Sequence, residues 1–262
     1  MPFIVEQHGH VALATLSRPE ARNAWGQDFY DGIAECFPRW ADDDSVRAVV
    51  VTGDEDGRAF SAGANLKDPN THAMPPVAEF VKNLSKRERF PFDVFMDFPK
   101  PIVAAVNGYA IGIGCILTFC CDLVVAGNRA EWRLPQTALG ILPAYGGSVR
   151  LARLVGKGLA MRLAMGFPLD GEEAHRIGLA QWLVPHEELM GKAMEVAEHV
   201  AALPPLAVRL TKESLNRGMD IPNLKDAALV DLYRFMTLEL TEDKEEAHSA
   251  WRERRTPNIR GI

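Results

Sequence analysis

No apolar run in the sequence approaches the roughly 18 residues needed to cross a bilayer as a helix. No block of basic residues stands out before the C-terminus, and the formal net charge is -6. A polyanion needs a concentrated cationic face, so nucleic acid is not an expected partner, and neither is a membrane. The opening stretch MPFIVEQHGH lacks the basic-then-apolar order of a secretory signal, which makes the cytoplasm the expected location. Cysteine is scarce. Cys36, Cys115, Cys120 and Cys121 sit in apolar surroundings rather than in a spaced framework, and read as reduced core residues. Cys120 and Cys121 are adjacent and the seven histidines do not pair with them, so no metal is expected. Nucleotide motifs are missing too. Gly112 and Gly114 are followed by Leu117 where a dinucleotide fingerprint needs glycine, and VGKG lacks the hydroxyl residue of a phosphate loop.

What is present is an ordinary globular composition, 47% hydrophobic and 24% charged, in a chain of 262 residues. That length supports one large core, or one core with a small appended domain. FIVEQ and VALATLS flank HGH as a hairpin, and GQDFYDGIAECFPRW carries apolar residues at helical spacing. VRAVVVTG, PIVAAVNG and DLVVAG read as buried strands, with CILTFCC a short buried helix between the last two. This alternation predicts an α/β core over residues 1–195, ending after the strand-like AQWLVP and the first turns of the next helix. Asp170 to Glu173 has the form of a capping box. Residues 196–262 read as helices punctuated by prolines at 204, 205, 222 and 257. Such amphipathic helices, too few to enclose a core, complete themselves against another subunit.

Two stretches concentrate small residues where strands give way to helices. NGYAIGIGCIL, Asn107 to Leu117, holds three glycines and no charge. It suits either close approach of backbone to a ligand or tight packing of a helix on a sheet. RAFSAGANLKD, Arg58 to Asp68, contains Ala59-Phe60-Ser61-Ala62-Gly63, a near match to a serine-hydrolase elbow with alanine for the first glycine. Ser61 is therefore either a nucleophile or a packing and hydrogen-bonding residue. The elbow should follow its strand at once, whereas GDEDG intervenes.

AFSAGANLKD, KPIVAAVNGYAIGIGCILTFCCDLVVAG and LPQTALGILPAYGGSVRLARLVGKGLAMRL, in that order, resemble the enoyl-CoA hydratase/isomerase, or crotonase, superfamily. RPEARNAW and EEAHRIGLAQWLVP fit the same pattern, so the resemblance runs from about Val11 to Asn258. It implies an α/β spiral of ββα units followed by a helical trimerisation region, assembling as a homotrimer or a dimer of trimers. It also implies an acyl-CoA substrate, carried as a coenzyme A thioester, with no tightly bound cofactor. The thioester oxygen would be held by the backbone N–H groups of Ala64 and Ile113. Arg22, Ala62, Leu66, Lys67, Gly112, Arg254 and Arg255 fall at positions expected to bind the substrate. The two glutamates that handle water and protons in hydratases of the family fall at Ile116 and Gln136, and an aspartate used by other members falls near Ala144. Isoleucine cannot titrate, and glutamine cannot accept a proton at neutral pH.

Tyr145 could replace a missing acid, or simply pack in its loop. Asp68, Lys67 and His72 follow the first motif, and Glu79, Glu88 and Asp93 read as the polar face of a lid helix. The expectation is a CoA-thioester lyase or isomerase with a rearranged acid and base and weak hydration of crotonyl-CoA. The alternatives are an acyl-CoA-binding protein without catalysis and, more distantly, a serine hydrolase using Ser61.

Overall fold

The computed structural model describes residues 2–67, 77–84 and 91–262. Strands β1 (Phe3–His8) and β2 (Val11–Leu16) pair antiparallel as the expected hairpin, turning through Gly9 at φ +58°. The valine-rich β3 (Ala48–Gly53) lies parallel to β2, and β5 (Ile102–Val106), β7 (Leu123–Gly127) and β10 (Trp182–Val184) extend the sheet in parallel. The order is β1-β2-β3-β5-β7-β10. A smaller sheet holds β4 (Ala59–Ser61), β6 (Tyr109–Ile111), β8 (Glu131–Arg133) and β9 (Leu169–Asp170). The chain enters the large sheet through β3, β5 and β7 and each time passes next into the small one. This is the winding of ββα units that the resemblance implies.

Side-chain alternation explains why the large sheet reads as continuous apolar runs. Successive residues of a strand face opposite sides. Val49 and Val51 meet Phe29, Ile33 and Phe37 of α1 (Gln27–Asp42), whereas Ala48 and Val50 meet Leu189, Ala193 and Ala197 of α7 (Leu189–Ala201). Both faces are covered, so both alternating sets are apolar. The expected boundary at residue 195 falls inside α7, which stays packed on the sheet as far as Ala201. The α/β body therefore continues for about one and a half turns beyond that position.

Before α7 in the chain come α2 (Val77–Leu84), α3 (Pro91–Asp97), α4 (Ile113–Cys120), α5 (Gly147–Ala164) and α6 (Gly171–Arg176), interleaved with the strands. The Asp170 carboxylate accepts the Glu173 N–H at 2.8 Å, the capping interaction read from the sequence. After α7 come α8 (Pro205–Gly218), α9 (Leu224–Leu238) and α10 (Glu242–Glu253). No residue of α8 or α9 is fully buried, and Leu215, Leu232, Tyr233, Phe235 and Met236 are exposed. Lys212 ties α8 to the body by donating to Asp122 Oδ2 at 2.7 Å and to the Lys100 carbonyl at 2.8 Å. No helix of the described residues is long and apolar enough to cross a membrane.

The buried Asp243 clasps the last residues of the chain to the start of α10. Its carboxylate accepts the N–H groups of Arg260 and Gly261, each at 2.7 Å, while its own N–H donates to the Ile262 carbonyl at 3.0 Å. Asp243→Ala leaves those two N–H groups without their acceptor. Buried unsatisfied groups cost about 1–3 kcal/mol each, reduced where water reaches them. Urea denaturation of Asp243→Ala is expected to show a lower midpoint with unchanged slope, and trypsin to cut sooner after Arg254 and Arg255. An unchanged midpoint would mean that the clasp contributes nothing to stability.

Candidate active site

Because β4 and β6 are parallel neighbours, the loops leaving their C-terminal ends lie side by side. Each contains a glycine with positive φ, Gly63 at +87° and Gly112 at +57°. A Cβ on Gly63 would lie 2.8 Å from the Ile111 carbonyl oxygen, and one on Gly112 would lie 4.0 Å from the Gly63 Cα. The two main chains therefore touch without side chains between them. Ala64 and Ile113 each follow one of these glycines.

Ala64 makes an isolated parallel bridge with Trp25. The bridge uses Gly63 O, which accepts the Trp25 N–H at 2.7 Å, and the Asn65 N–H, which donates to Trp25 O at 3.0 Å. The Ala64 N–H consequently points to the opposite side of that segment. Ile113 opens α4, whose first backbone bond runs from the Ile116 N–H to Gly112 O at 3.0 Å. Its N–H is one of the helix's unsatisfied initial donors, at the positive end of the helix dipole.

Gly114 has a different role from the one its place beside Ile113 suggests. A Cβ there would lie 2.6 Å from Ser61 Cβ and 2.9 Å from Ser61 Oγ, so its absence lets α4 settle on the end of β4. The same contact corrects the hydrolase alternative. Ser61 is fully buried, and its hydroxyl accepts the Gly63 N–H at 3.3 Å. A nucleophile must be exposed at the top of its turn. The thiols offer no substitute, since burial pushes Cys115 and Cys121 well up and Cys120 to about 12.

Gln136 begins a 3-10 turn, Gln136–Leu139. Its Nε2 lies 3.6 Å from the position of a Gly112 Cβ, and its Oε1 is buried with no hydrogen-bond partner among the described residues. Ile116 is fully buried on α4 and packs against Gly147, where a Cβ would come within 2.9 Å of both Cγ1 and Cδ1. Ile116 thus lies under the 143–147 loop. Tyr145 in that loop is left-handed at φ +54°, and it bears on Tyr30 of α1, whose proton is held by burial well beyond the usual tyrosine range. Tyr30 had no signal in the sequence, because at its spacing it is one more amphipathic helix residue.

The remaining candidates divide. The Ala62 N–H donates to the Arg22 carbonyl at 3.0 Å, so those two positions come together beside the glycine pair. Leu66 and Lys67 are exposed in the turn that follows. Arg254 and Arg255 lie at the end of α10, lining a hollow of about 560 Å³ with Ala250, Trp251 and Arg252. The Arg255 guanidinium is already engaged, with Glu246 Oε2 at 2.9 Å and Glu253 Oε2 at 2.6 Å. Asp93 is half-buried on α3. Asp68, His72, Glu88 and the side chain of Glu79 lie outside the described residues.

Paired backbone loops at the ends of adjacent short strands, one continuing into a buried helix, define an α/β protein whose candidate site is built from main chain. The family model for enoyl-CoA hydratase/isomerase matches residues 6–261. The 2,3-dehydroadipyl-CoA hydratase of Escherichia coli is 35% identical over 260 residues, covering 99% of this chain and 98% of that protein. The (E)-benzylidenesuccinyl-CoA hydratase of Thauera aromatica is 33% identical over 262 residues, covering the whole of both. The crystal structure of an enoyl-CoA hydratase from Bacillus anthracis superposes with a TM-score of 0.91 at 31% identity, with complete coverage of both chains. The chain belongs to the enoyl-CoA hydratase/isomerase, or crotonase, family, whose members act on CoA thioesters.

Replacing the Ala64 residue by lactate, which exchanges its N–H for an ester oxygen, tests the first donor without touching a side chain. Proline is the less clean substitution, because it also restricts the preceding residue, and Gly63 sits at φ +87°. Loss of one donor from an oxyanion hole costs about 10²–10³ in rate. That loss in acyl-CoA turnover is expected of the ester variant with its fold intact, and unchanged turnover would remove Ala64 from the site.

Proposed function

We propose that this protein is an acyl-CoA lyase or isomerase that holds the thioester oxygen between the N–H groups of Ala64 and Ile113 and stabilises the enolate formed there. The touching pair Gly63 and Gly112 supports this reading, because two glycines with positive φ bring the segments leading into Ala64 and Ile113 together. Donors fixed where charge develops need no reorganisation during reaction. Ala62, Arg22, Leu66, Lys67 and Gly112 form the rim along which the thioester and pantetheine arm enter. Arg254 and Arg255 serve CoA phosphate from the end of α10, with Arg254 the freer contributor because Arg255 is held by two glutamates.

The acid and base differ from the arrangement of two glutamates implied by the family pattern. Ile116 contributes shape, and Gln136 offers an amide that orients water or the acyl group without taking its proton. Its buried Oε1 is the acceptor side of that amide. Unmodified protein is therefore expected to hydrate crotonyl-CoA slowly. General acid–base help is worth roughly 10²–10⁴-fold per group, so Ile116→Glu with Gln136→Glu should raise hydration well above either single change. Ile116→Glu alone should help little, since burial at that position keeps a carboxyl protonated. Loss of crotonyl-CoA absorbance measures this directly, and rapid hydration by the unmodified protein would overturn the proposed acid and base.

The exposed apolar face of α8 and α9 supports assembly into a homotrimer or a dimer of trimers. Leu232→Asp with Tyr233→Asp places two carboxylates on that face. Light scattering is expected to show the trimer or hexamer for the unmodified protein and smaller species for the double variant, and a monomeric unmodified protein would refute the assembly.

A further inference from the structure

At the N-terminal ends of β3 and β5 the chain leaves a hollow of about 110 Å³. Asp44 and Arg47, which precede β3, line it together with Lys100, which precedes β5. The end of α7, the first turns of α8 and the chain end at Arg260 complete the wall. The hollow is at the opposite strand ends from the turns that lead into β4 and β6, and so toward the candidate site.

Four cations line this space, Arg47, Lys100, Arg209 and Arg260, against one carboxylate, Asp44. Lys100 is largely engaged. Its Nζ donates to the Trp40 and Asp43 carbonyls at 2.5 and 2.7 Å, which closes the end of α1. Burial lowers its ammonium from the usual lysine range; Asp42, Asp43 and Asp44 oppose that shift and Arg209 adds to it. Arg47 donates one N–H to the Ile259 carbonyl at 3.1 Å, and Arg260 Nη1 reaches Glu242 at 3.2 Å. Arg209 has neither an ion pair nor a hydrogen bond among the described residues. A guanidinium carries five donors and no acceptor. Three of them therefore line one hollow with most of their donors unspent and a single carboxylate to share.

The rest of the wall identifies the class of anion. It is aliphatic side chains, proline and glycine, with Val46, Leu203 and Leu206 among them. Among the described residues no neutral hydrogen-bonding side chain lines the hollow. Phosphate and sulfate turn oxygens in every direction, and those facing an aliphatic wall lose water without gaining a partner. A carboxylate with an alkyl tail keeps both oxygens at one end, where the guanidinium fork matches them, and lays its tail on the wall. An apolar cavity of ~150 Å³ accommodates benzene, so this smaller hollow suits an acid of about four carbons.

We propose that the hollow is a binding site for a short aliphatic carboxylate, with Arg209 and Arg47 pairing the carboxylate and Leu203 and Leu206 covering the tail. The occupant joins α8 and the chain end to the segments that enter β3 and β5. Without it those attachments are few, Lys212 for α8 and the Arg47 bond to Ile259 for the chain end among them. The site stands apart from the acyl-CoA reading, because none of its residues belongs to the proposed cradle, its rim or the arginines assigned to CoA phosphate.

Butyrate labelled with ¹³C at the carboxyl, titrated into the full-length protein and followed by NMR at constant ionic strength, tests the site. Acetate, inorganic phosphate and butyramide are the comparisons. Butyrate is expected to bind more tightly than acetate or phosphate, and butyramide, of the same shape without the charge, is expected not to bind. Arg209→Gln and Arg47→Gln should each weaken butyrate about 10- to 100-fold, the worth of a hydrogen bond to a charged group. Arg176→Gln, which removes a cation from the distant surface of α6, should leave it unchanged. Saturating butyrate should also slow tryptic cleavage after Arg254 and Arg255 in unmodified protein and not in Arg209→Gln. Absence of butyrate binding, unchanged affinity in either Arg209→Gln or Arg47→Gln, or equal weakening in Arg176→Gln would overturn the site. Phosphate or butyramide binding as tightly as butyrate would overturn the carboxylate assignment, and unslowed cleavage would overturn the link to the chain end.

Discussion

The contact between Gly63 and Gly112 is the constraint on which the candidate site depends. A Cβ on Gly63 would collide with the Ile111 carbonyl oxygen, whereas Gly112 is required by its positive φ rather than by lack of room. Their positive φ values turn both loops at the ends of β4 and β6, and those strands lie together because the small sheet is parallel there. The large sheet supports this from behind. Its strands are apolar on both faces, with α1 on one side and α7 on the other. Gly114 extends the same logic one residue further, since its missing side chain seats α4 on Ser61 and aims the start of that helix at the site.

Side chains enter after the main chain has set the geometry. Trp25 links the segment holding Ala64 to α1 by a backbone bridge on one side and an aromatic contact on the other. Tyr30 carries that link to the 143–147 loop, and Ile116 fills the space beneath Gly147. Gln136 closes the remaining side near Gly112, with its amide oxygen buried. The C-terminal helices are joined differently, through single polar anchors such as Lys212 on Asp122 and Asp243 on the chain end. Leu215, Leu232, Tyr233, Phe235 and Met236 of α8 and α9 stay exposed.

Much of the large sheet was legible in the sequence because double-sided burial makes β3, β5 and β7 read as unbroken valine- and alanine-rich runs. The hairpin of β1 and β2, the buried α4 and the Asp170 cap were legible for equally local reasons. The strands β4, β6 and β8 were not, since three residues are too few to show a period. The end of the body at Ala201 was missed because α7 has the same helical periodicity as the helices that follow, and only its small residues Ala193 and Ala197 mark it as packed on a sheet. Motif position pointed to Ala64 and Ile113, but it could not separate the packing role of Gly114 from the turning role of Gly112. That distinction depends on Ser61, far away in sequence and directly beneath. Tyr30 was invisible for the same reason, as its partner lies in a distant loop.

A cradle made of peptide groups has a consequence for how such a protein changes over generations. The isoleucine at 113 opens α4 and leaves the same N–H available that any other residue except proline would offer there. The anchoring point is thus insulated from the identity of the side chains around it. Under the proposed function, positions such as 116 and 136 are then free to drift, as interchangeable tools on a fixed mount, and a lineage can abandon one proton-handling arrangement for another without first dismantling its hold on the substrate.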